Sequence, residues 1–460
     1  MPNESYHPML YRSITALGVV LAFLLTLLIP QHMREGSDWS FQYAAQNFSK
    51  GQLTEDGVTI GLEESEAYQF GGLLSQYILI GDNRWALSEA PGYIFYLLPF
   101  YYLHAPELGN LVLAIGMTIV AYILLKRLRD EKAACLGSLL LLFTPVALAM
   151  MQRIYTDTFG ASAFLSMGGG LYIYYCLRAR ELSSRSGGGI LFVAGLLLGW
   201  SVFANYNNAL VVLVFALHFI FMFLRAILKK APIRPYPALI LGLAIPLVFL
   251  LLYQNVVFGS PWTFGFQFTQ LPVNFNLKYL WLNIKYVTAA LLVGFPLLLL
   301  AAFSFCTGLY YKTVRFFDGP PTPTAGGRLP ELPTDIAILL CGWAVAVFGL
   351  YLNYEFTANY VVGGMPFIIM ARYYLPGVLP LTIAAVLLIT KVPRKLAVTL
   401  VILCLVWGVT FFAQAALSLP LMPPHSPYNP MASSIEDNDA SFFTEYNTRE
   451  QISDTGNQWV

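Results

Sequence analysis

Apolar runs recur along the chain near 10-30, 108-125, 133-151, 158-177, 189-204, 209-228, 237-257, 287-311, 335-352, 374-391 and 396-417. A helix of about 20 apolar residues crosses a bilayer core, so the pattern predicts an all-α polytopic membrane protein with about eleven transmembrane helices. The longest polar interruption is the first, from about residue 31 to 107. Its opening carries a shorter period of its own. In "SDWSFQYAAQNFSKG", Phe41, Ala44, Ala45 and Phe48 form one apolar stripe, while Asp38, Gln42, Gln46 and Ser49 form the opposite polar one. Ser37 stands where an N-cap belongs and Gly51 where a C-terminal glycine belongs. A helix of that length, about 20 Å, is too short to span, so it is expected to lie along the membrane surface with its apolar face down. Further on, Pro91-Gly92 opens an aromatic segment, 93-103, which is also too short to span and is expected to be re-entrant or interfacial.

Composition agrees: 57% of the 460 residues are hydrophobic and 11% charged, more apolar than a soluble domain needs. The sparse charge sets an orientation. With the N-terminus inside, the cytoplasmic segments hold 18 of the 26 Lys and Arg but 7 of the 25 acids. The positive-inside rule therefore predicts a multi-pass protein of the cell membrane with a cytoplasmic N-terminus. The same count puts the acidic, Pro-rich tail 418-460 outside as a poorly ordered extension of the membrane domain, 1-417. The Pro- and Gly-rich stretch 318-334 reads as a flexible cytoplasmic connector.

Several chemistries lack their signatures. The five cysteines have no paired spacing, the five histidines form no ligand pattern, and no phosphate-binding glycine loop follows a strand. Gly168-Gly169-Gly170 lies inside a run and reads as close helix packing. No cofactor, metal or nucleic-acid partner is expected. His218 is the one ionisable residue near the middle of a predicted span, and it reads as a packing residue. Asn47-Phe48-Ser49 spells a glycosylation sequon, read as a chance occurrence. Polar chemistry therefore collects in the outer loops. These carry Arg84 and Glu89 in the first loop, Arg153 and Asp157 in "RIYTD", Lys278 and Lys285 after the "FGSP" loop, and Arg372 with Tyr373 in "ARYYLPGVLPL".

These stretches occur in an order that resembles the GT-C superfamily of multi-span glycosyltransferases. The likeness is to protein O-mannosyltransferase-like and aminoarabinose transferase-like enzymes, and it runs over nearly all of 10-417. The resemblance implies inverting transfer of a sugar from a polyprenyl-phosphate donor to a lipid, glycan or protein acceptor at the outer face. It implies that Asp38, in the amphipathic helix of the first loop, is the general base, taking the proton of the attacking hydroxyl. It makes Arg372 the leading contact for the departing phosphate, with Arg153, Lys278, Lys285 and Arg84 behind it. Asp157, Tyr43, Glu89 and Tyr373 complete the candidates.

Each residue has a plainer reading. Asp38 and Asp157 could serve only as helix-start acids, and the basic residues as interfacial anchors. Two other functions compete with the enzyme: a transporter or flippase of lipid-linked sugars, which the lack of mid-span charge disfavours, and a non-catalytic membrane scaffold. The scaffold reading draws on Trp39, which occupies the place where many members of the superfamily carry a second acid.

Overall fold

The computed structural model describes residues 8–29, 36–56, 77–80, 84–179, 181–230, 233, 235–267, 275–307, 332–354 and 371–416. The tail 418-460 and most of the 318-334 connector lie outside them. The chain runs through helix α1 (Pro8–Leu28), the amphipathic α2 (Gly36–Ser49), the short α3 (Gly92–Tyr102), α4 (Glu107–Leu128), α5 (Glu131–Leu142) and α6 (Pro145–Gln152). It continues through α7 (Asp157–Arg178), α8 (Ser184–Ala204), α9 (Asn208–Leu228), α10 (Tyr236–Phe258), α11 (Lys278–Gly294) and α12 (Leu298–Thr307). The last helices are α13 (Thr334–Leu352), α14 (Val378–Ile389), entered through a 3₁₀ segment Ala371–Gly377, and α15 (Arg394–Ala416).

Eight of these units are long and apolar enough to cross a membrane, or ten if each of two bent pairs counts as one span. The pair α5/α6 bends by 57°, where Pro145 opens the second piece, and α11/α12 bends by 95°. The remaining run, 158-177, forms α7. At 22 residues it is long enough, about 33 Å, but Gly, Ser and Tyr lower its hydropathy. Protein rather than lipid surrounds it, since nearly every residue from Phe159 to Ile173 is buried. The chain is a multi-pass membrane protein.

The all-α expectation needs one correction. The first loop contains a small antiparallel sheet in the order β1-β3-β2, with β1 Glu55–Asp56, β2 Tyr77–Leu79 and β3 Arg84–Leu87. In register, Tyr77 faces Leu87, Ile78 faces Ala86 and Glu55 faces Trp85. Helical periodicity dominates the rest of the chain, and strands this short carry little period of their own. The sequence signal was the turn-favouring composition "GDN" between "YIL" and "RWAL".

A second correction concerns α2. Its stripe is as expected, with Phe41, Ala44, Ala45 and Phe48 buried and Gly51 in the left-handed region at φ 78°. That face meets protein, not lipid. Phe48 lies 5.3 Å from Phe95 of α3 and 6.2 Å from Tyr253 of α10, and the Tyr102 hydroxyl donates to Ser49 O at 2.6 Å. Burying aromatic surface against a rigid helix fixes α2 more firmly than a fluid lipid contact would. The sequon residue Asn47 is buried in the same interface, at 3% exposure, where no glycan could be added. The segment after Pro91 is, as expected, a short helix, with Tyr93, Ile94 and Leu97 buried.

The bundle has two chemically distinct ends. At one, Arg12 pairs with Glu131, Lys126 with the same Glu131, Arg127 and Arg178 with Glu181, and Arg225 with Asp335. The other end carries α2, α3, the sheet and the α6/α7 turn. Between the ends, the Tyr172 hydroxyl sits 2.9 Å from His218 Nδ1, so the histidine joins α7 to α9 as a packing residue.

A close crossing joins α8 to α10. A Cβ on Gly195 would lie 2.2 Å from Leu239 O, and one on Gly242 would lie 2.1 Å from Phe192 O. Backbone atoms cannot swing away as a side chain can. Gly195→Ala is therefore expected to lower stability in detergent by about 1–3 kcal/mol, while Gly189→Ala, with open space around it, leaves it unchanged or slightly higher. Thermal melts of the purified variants check this; equal melting temperatures would show that the two helices can part without loss.

Candidate functional site

Three segments meet at the end opposite the ion pairs. The first is the turn after β3, where Ser88 and Ala90 are buried and Glu89 points its carboxyl into the protein while keeping some accessible surface. Gly265 closes over this turn. A Cβ there would sit 2.4 Å from Ser88 O, so only glycine admits the loop at that distance.

The second segment is the turn between α6 and α7. The Tyr93 hydroxyl bolts α3 to it, 2.7 Å from Ile154 O and 2.8 Å from Asn110 Oδ1, while Asn110 Nδ2 donates to Met151 O at 2.9 Å. Because Tyr93 follows Glu89 by four residues, these bonds set the Glu89 turn beside the start of α7. There Asp157, 9% exposed, occupies the first helical position, where the macrodipole favours a negative charge. Asn205 Nδ2 donates to Asp157 Oδ2 at 2.7 Å, and the extended Asn205 ends α8. The side chain thus does more than start a helix, since it joins α7 to the α8/α9 turn.

The third segment is the 3₁₀ turn that carries Arg372, 7% exposed. Its guanidinium carbon lies 5.0 Å from the centre of the Tyr373 ring, and Nη2 donates to the Tyr373 hydroxyl at 3.2 Å. Tyr373 leans in turn on Tyr351 at 5.4 Å and Tyr354 at 6.0 Å. Asn283 of α11 holds that end of α13 by donating to Leu352 O and Tyr354 O at 3.0 and 2.9 Å.

Glu89, Asp157 and Arg372 are close enough to act on one another through space. Burial, then the Asp157 charge, pushes the Glu89 carboxyl up from 4.5 to about 8, against the pull of Arg372. Asp157, at the head of α7, accepts the Asn205 hydrogen bond and interacts with Arg372 through space. Burial thus works against two carboxylate charges in this pair, while Arg372 works for them.

The other predicted residues divide. Arg153, 4% exposed, ends α6 four residues before Asp157. Tyr43 meets Tyr77 edge-on at 5.4 Å, linking α2 to the sheet. Arg84 is exposed at the start of β3. Lys278 and Lys285 are exposed on α11, with Lys278 Nζ 4.7 Å from the Tyr279 ring centre, and neither enters the buried cluster. Asp38 lies in the first turn of α2 by its backbone; its side chain is outside the described residues. Among the described residues, no group of three or more His, Cys, Asp and Glu is placed to hold a metal ion.

Sequence reasoning missed Asn205, Tyr206 and Gln254. The run "NYNN", 205-208, at the end of an apolar stretch was the available signal, as was a glutamine in an otherwise apolar helix. Tyr206 senses the charge of Glu89. Gln254 is fully buried with neither amide atom hydrogen-bonded, and the hydroxyls of Tyr206 and Tyr253 are buried in the same condition. A buried polar group without a partner costs about 1–3 kcal/mol.

The fold is similar to that of two solved proteins of the GT-C superfamily. Among solved structures, ArnT of Cupriavidus metallidurans, an aminoarabinose transferase solved with undecaprenyl phosphate bound, aligns with TM-score 0.52 and 11% identity, covering 84% of this chain and 61% of ArnT. The oligosaccharyltransferase of Archaeoglobus fulgidus aligns with TM-score 0.52 and 12% identity over 96% of this chain and 60% of its own. In a second structure the archaeal enzyme, AglB, is in complex with an inhibitory peptide and a dolichol-phosphate. The chain thus spans about three fifths of the length of the structures it matches. No family model matches the sequence, and no curated protein matches it either.

A buried acid with a raised pKa ties stability to pH. Glu89 binds its proton more tightly folded than unfolded, so its contribution is complete below about pH 4.5 and is lost as pH rises through about 8. The melting temperature of the wild type should fall across that window, and Glu89→Gln should flatten the fall. Melts in detergent from pH 5 to 9 check it, and parallel curves for the two proteins would remove Glu89 as the source.

Proposed function

We propose that this protein is an inverting glycosyltransferase that moves a sugar from a polyprenyl-phosphate carrier to a hydroxyl acceptor at the outer face of the membrane. The observation that carries the reading is the buried Arg372 set against Glu89 and Asp157, at the same end of a GT-C fold as α2 and Asp38. Related folds hold undecaprenyl phosphate or dolichol-phosphate, which supports a carrier of that class. The charge distribution supports a cytoplasmic N-terminus, which sets the Arg372 end outside, and α7 serves as an eleventh span shielded by its neighbours.

The acceptor oxygen attacks the anomeric carbon as the bond from that carbon to the phosphate oxygen breaks. The hydroxyl proton passes to the Asp38 carboxylate, and the polyprenyl phosphate leaves with the bonding electron pair. Arg372 meets the charge that develops on the phosphate. Asp157, fastened by Asn205, holds the guanidinium in place. A protonated Glu89 adds no negative charge where the phosphate must enter, so a pocket with two carboxyls can still admit an anion. A carrier with an isoprenoid tail also fits a site at the bilayer edge, where the tail stays in lipid.

The test is transfer of labelled sugar from polyprenyl-phosphate donors in membranes. Asp38→Asn should reduce turnover by about a hundredfold or more, as loss of a general base does. Arg372→Leu should reduce it by about 10²–10³. Full turnover in Asp38→Asn with loss in Asp157→Asn would transfer the base to Asp157. Absence of turnover in wild type across donors would favour a transporter or scaffold.

A further inference from the structure

Beside the charged trio lies a second, neutral group of polar atoms with no hydrogen-bond partners. Gln254, on the last two turns of α10, is fully buried, and both its amide nitrogen and its amide oxygen lack partners. Its neighbour in space, Tyr206 of the α8/α9 turn, presents a buried hydroxyl close enough to the amide to feel it but outside hydrogen-bonding geometry. The Tyr253 hydroxyl, buried in the same way, is within electrostatic reach of Tyr206 and Tyr77. Buried polar groups ordinarily find partners. Four partnerless atoms from three adjoining side chains point to something that supplies them.

Their chemistry describes the ligand. An amide and two phenols offer donors and acceptors in roughly equal number and no charge. The rings are held rigidly: Phe264 and Phe266 stand edge-on to Tyr206 at 5.2 and 6.1 Å, and Phe48, Phe95 and Phe258 surround Tyr253 at 6.2 to 6.4 Å. Such a surface suits a neutral ring rich in hydroxyl groups. It adjoins Glu89, which interacts with both Tyr206 and Arg372, so the ring is one joined to the phosphate that Arg372 meets.

We propose that Gln254, Tyr206 and Tyr253 form the seat of the sugar ring of the carrier lipid and select among donors by its hydroxyl pattern. This rests on the glycosyltransferase reading.

The experiment measures equilibrium binding of purified wild type, Gln254→Leu and Tyr206→Phe to bare undecaprenyl phosphate. The same three proteins are then titrated with undecaprenyl phosphate carrying glucose, galactose, mannose, N-acetylglucosamine or aminoarabinose. The expected result is that wild type binds at least one glycosylated carrier about tenfold or more tighter than the bare phosphate. Each variant should lose about tenfold on that carrier and keep wild-type affinity for the bare phosphate, which also shows that it is folded. Glycosylated carriers that bind wild type no tighter than bare phosphate would overturn the seat while leaving the carrier reading intact. So would variants that bind both ligands as wild type does, the orphan atoms then being served by internal water. Failure of wild type to bind any polyprenyl phosphate would overturn the glycosyltransferase reading itself, and the seat with it.

Discussion

A guanidinium withdrawn from water has to be answered by other charges, and much of the site end can be read as that answer. Arg372 is too buried to be solvated and too long to be left to chance. Its aromatic neighbours fix its position and the two carboxyls fix its charge. Those carboxyls come from distant parts of the chain, one from a turn after a strand and one from a helix start. Bringing them together needs the Tyr93 and Asn110 bonds that pin α3 to the α6/α7 turn, and the Asn205 bond that pins α8 to α7. The bonds that gather these charges thereby tie α3 to the α6/α7 turn and α8 to α7.

The arrangement explains the unusual composition of α7. A helix that faces lipid must be apolar all round, whereas one enclosed by other helices is free to use Gly and Ser for close approach and Tyr for hydrogen bonds. Gly169 packs against Phe215 and Trp343, and Gly160 against the ring of Tyr93. The least apolar of the long helices is thus the one best suited to carry a charged residue at its end.

Much of the fold was legible in the sequence because the membrane imposes a strong period. Each of the eleven apolar runs became a helix, a bent pair or α7, and the stripe of α2 buried the four residues its spacing named. The small sheet was not legible, because two- to four-residue strands carry less pattern than a turn triplet does. The direction of the α2 stripe was not either: amphipathicity says that a face is buried, and never in what. Of the site, Asp157, Glu89 and Arg372 were legible as rare charges at the ends of apolar runs. Their grouping was not, since it depends on hydrogen bonds between residues 41 to 61 positions apart. The two lysines of α11, ranked behind Arg372 in the sequence, lie apart from it. Their charge resembles that of a phosphate contact, but their side chains stay exposed and outside the buried group.

The first helix buries only Thr15, Gly18, Ala22 and Thr26, so its long flanks add little to its placement. It is stayed instead at its two tips. Arg12 is tied to Glu131 near the start, and Gln152, from the end of α6, reaches the backbone of Thr26 at 3.3 Å near the finish. The helix that bears Asp38 hangs from this upper tip. The tip from which α2 continues is thereby held by a residue 126 positions further along the chain. The helix α2 is thereby anchored twice, once through the helix that precedes it and once through its own apolar face on α3 and α10.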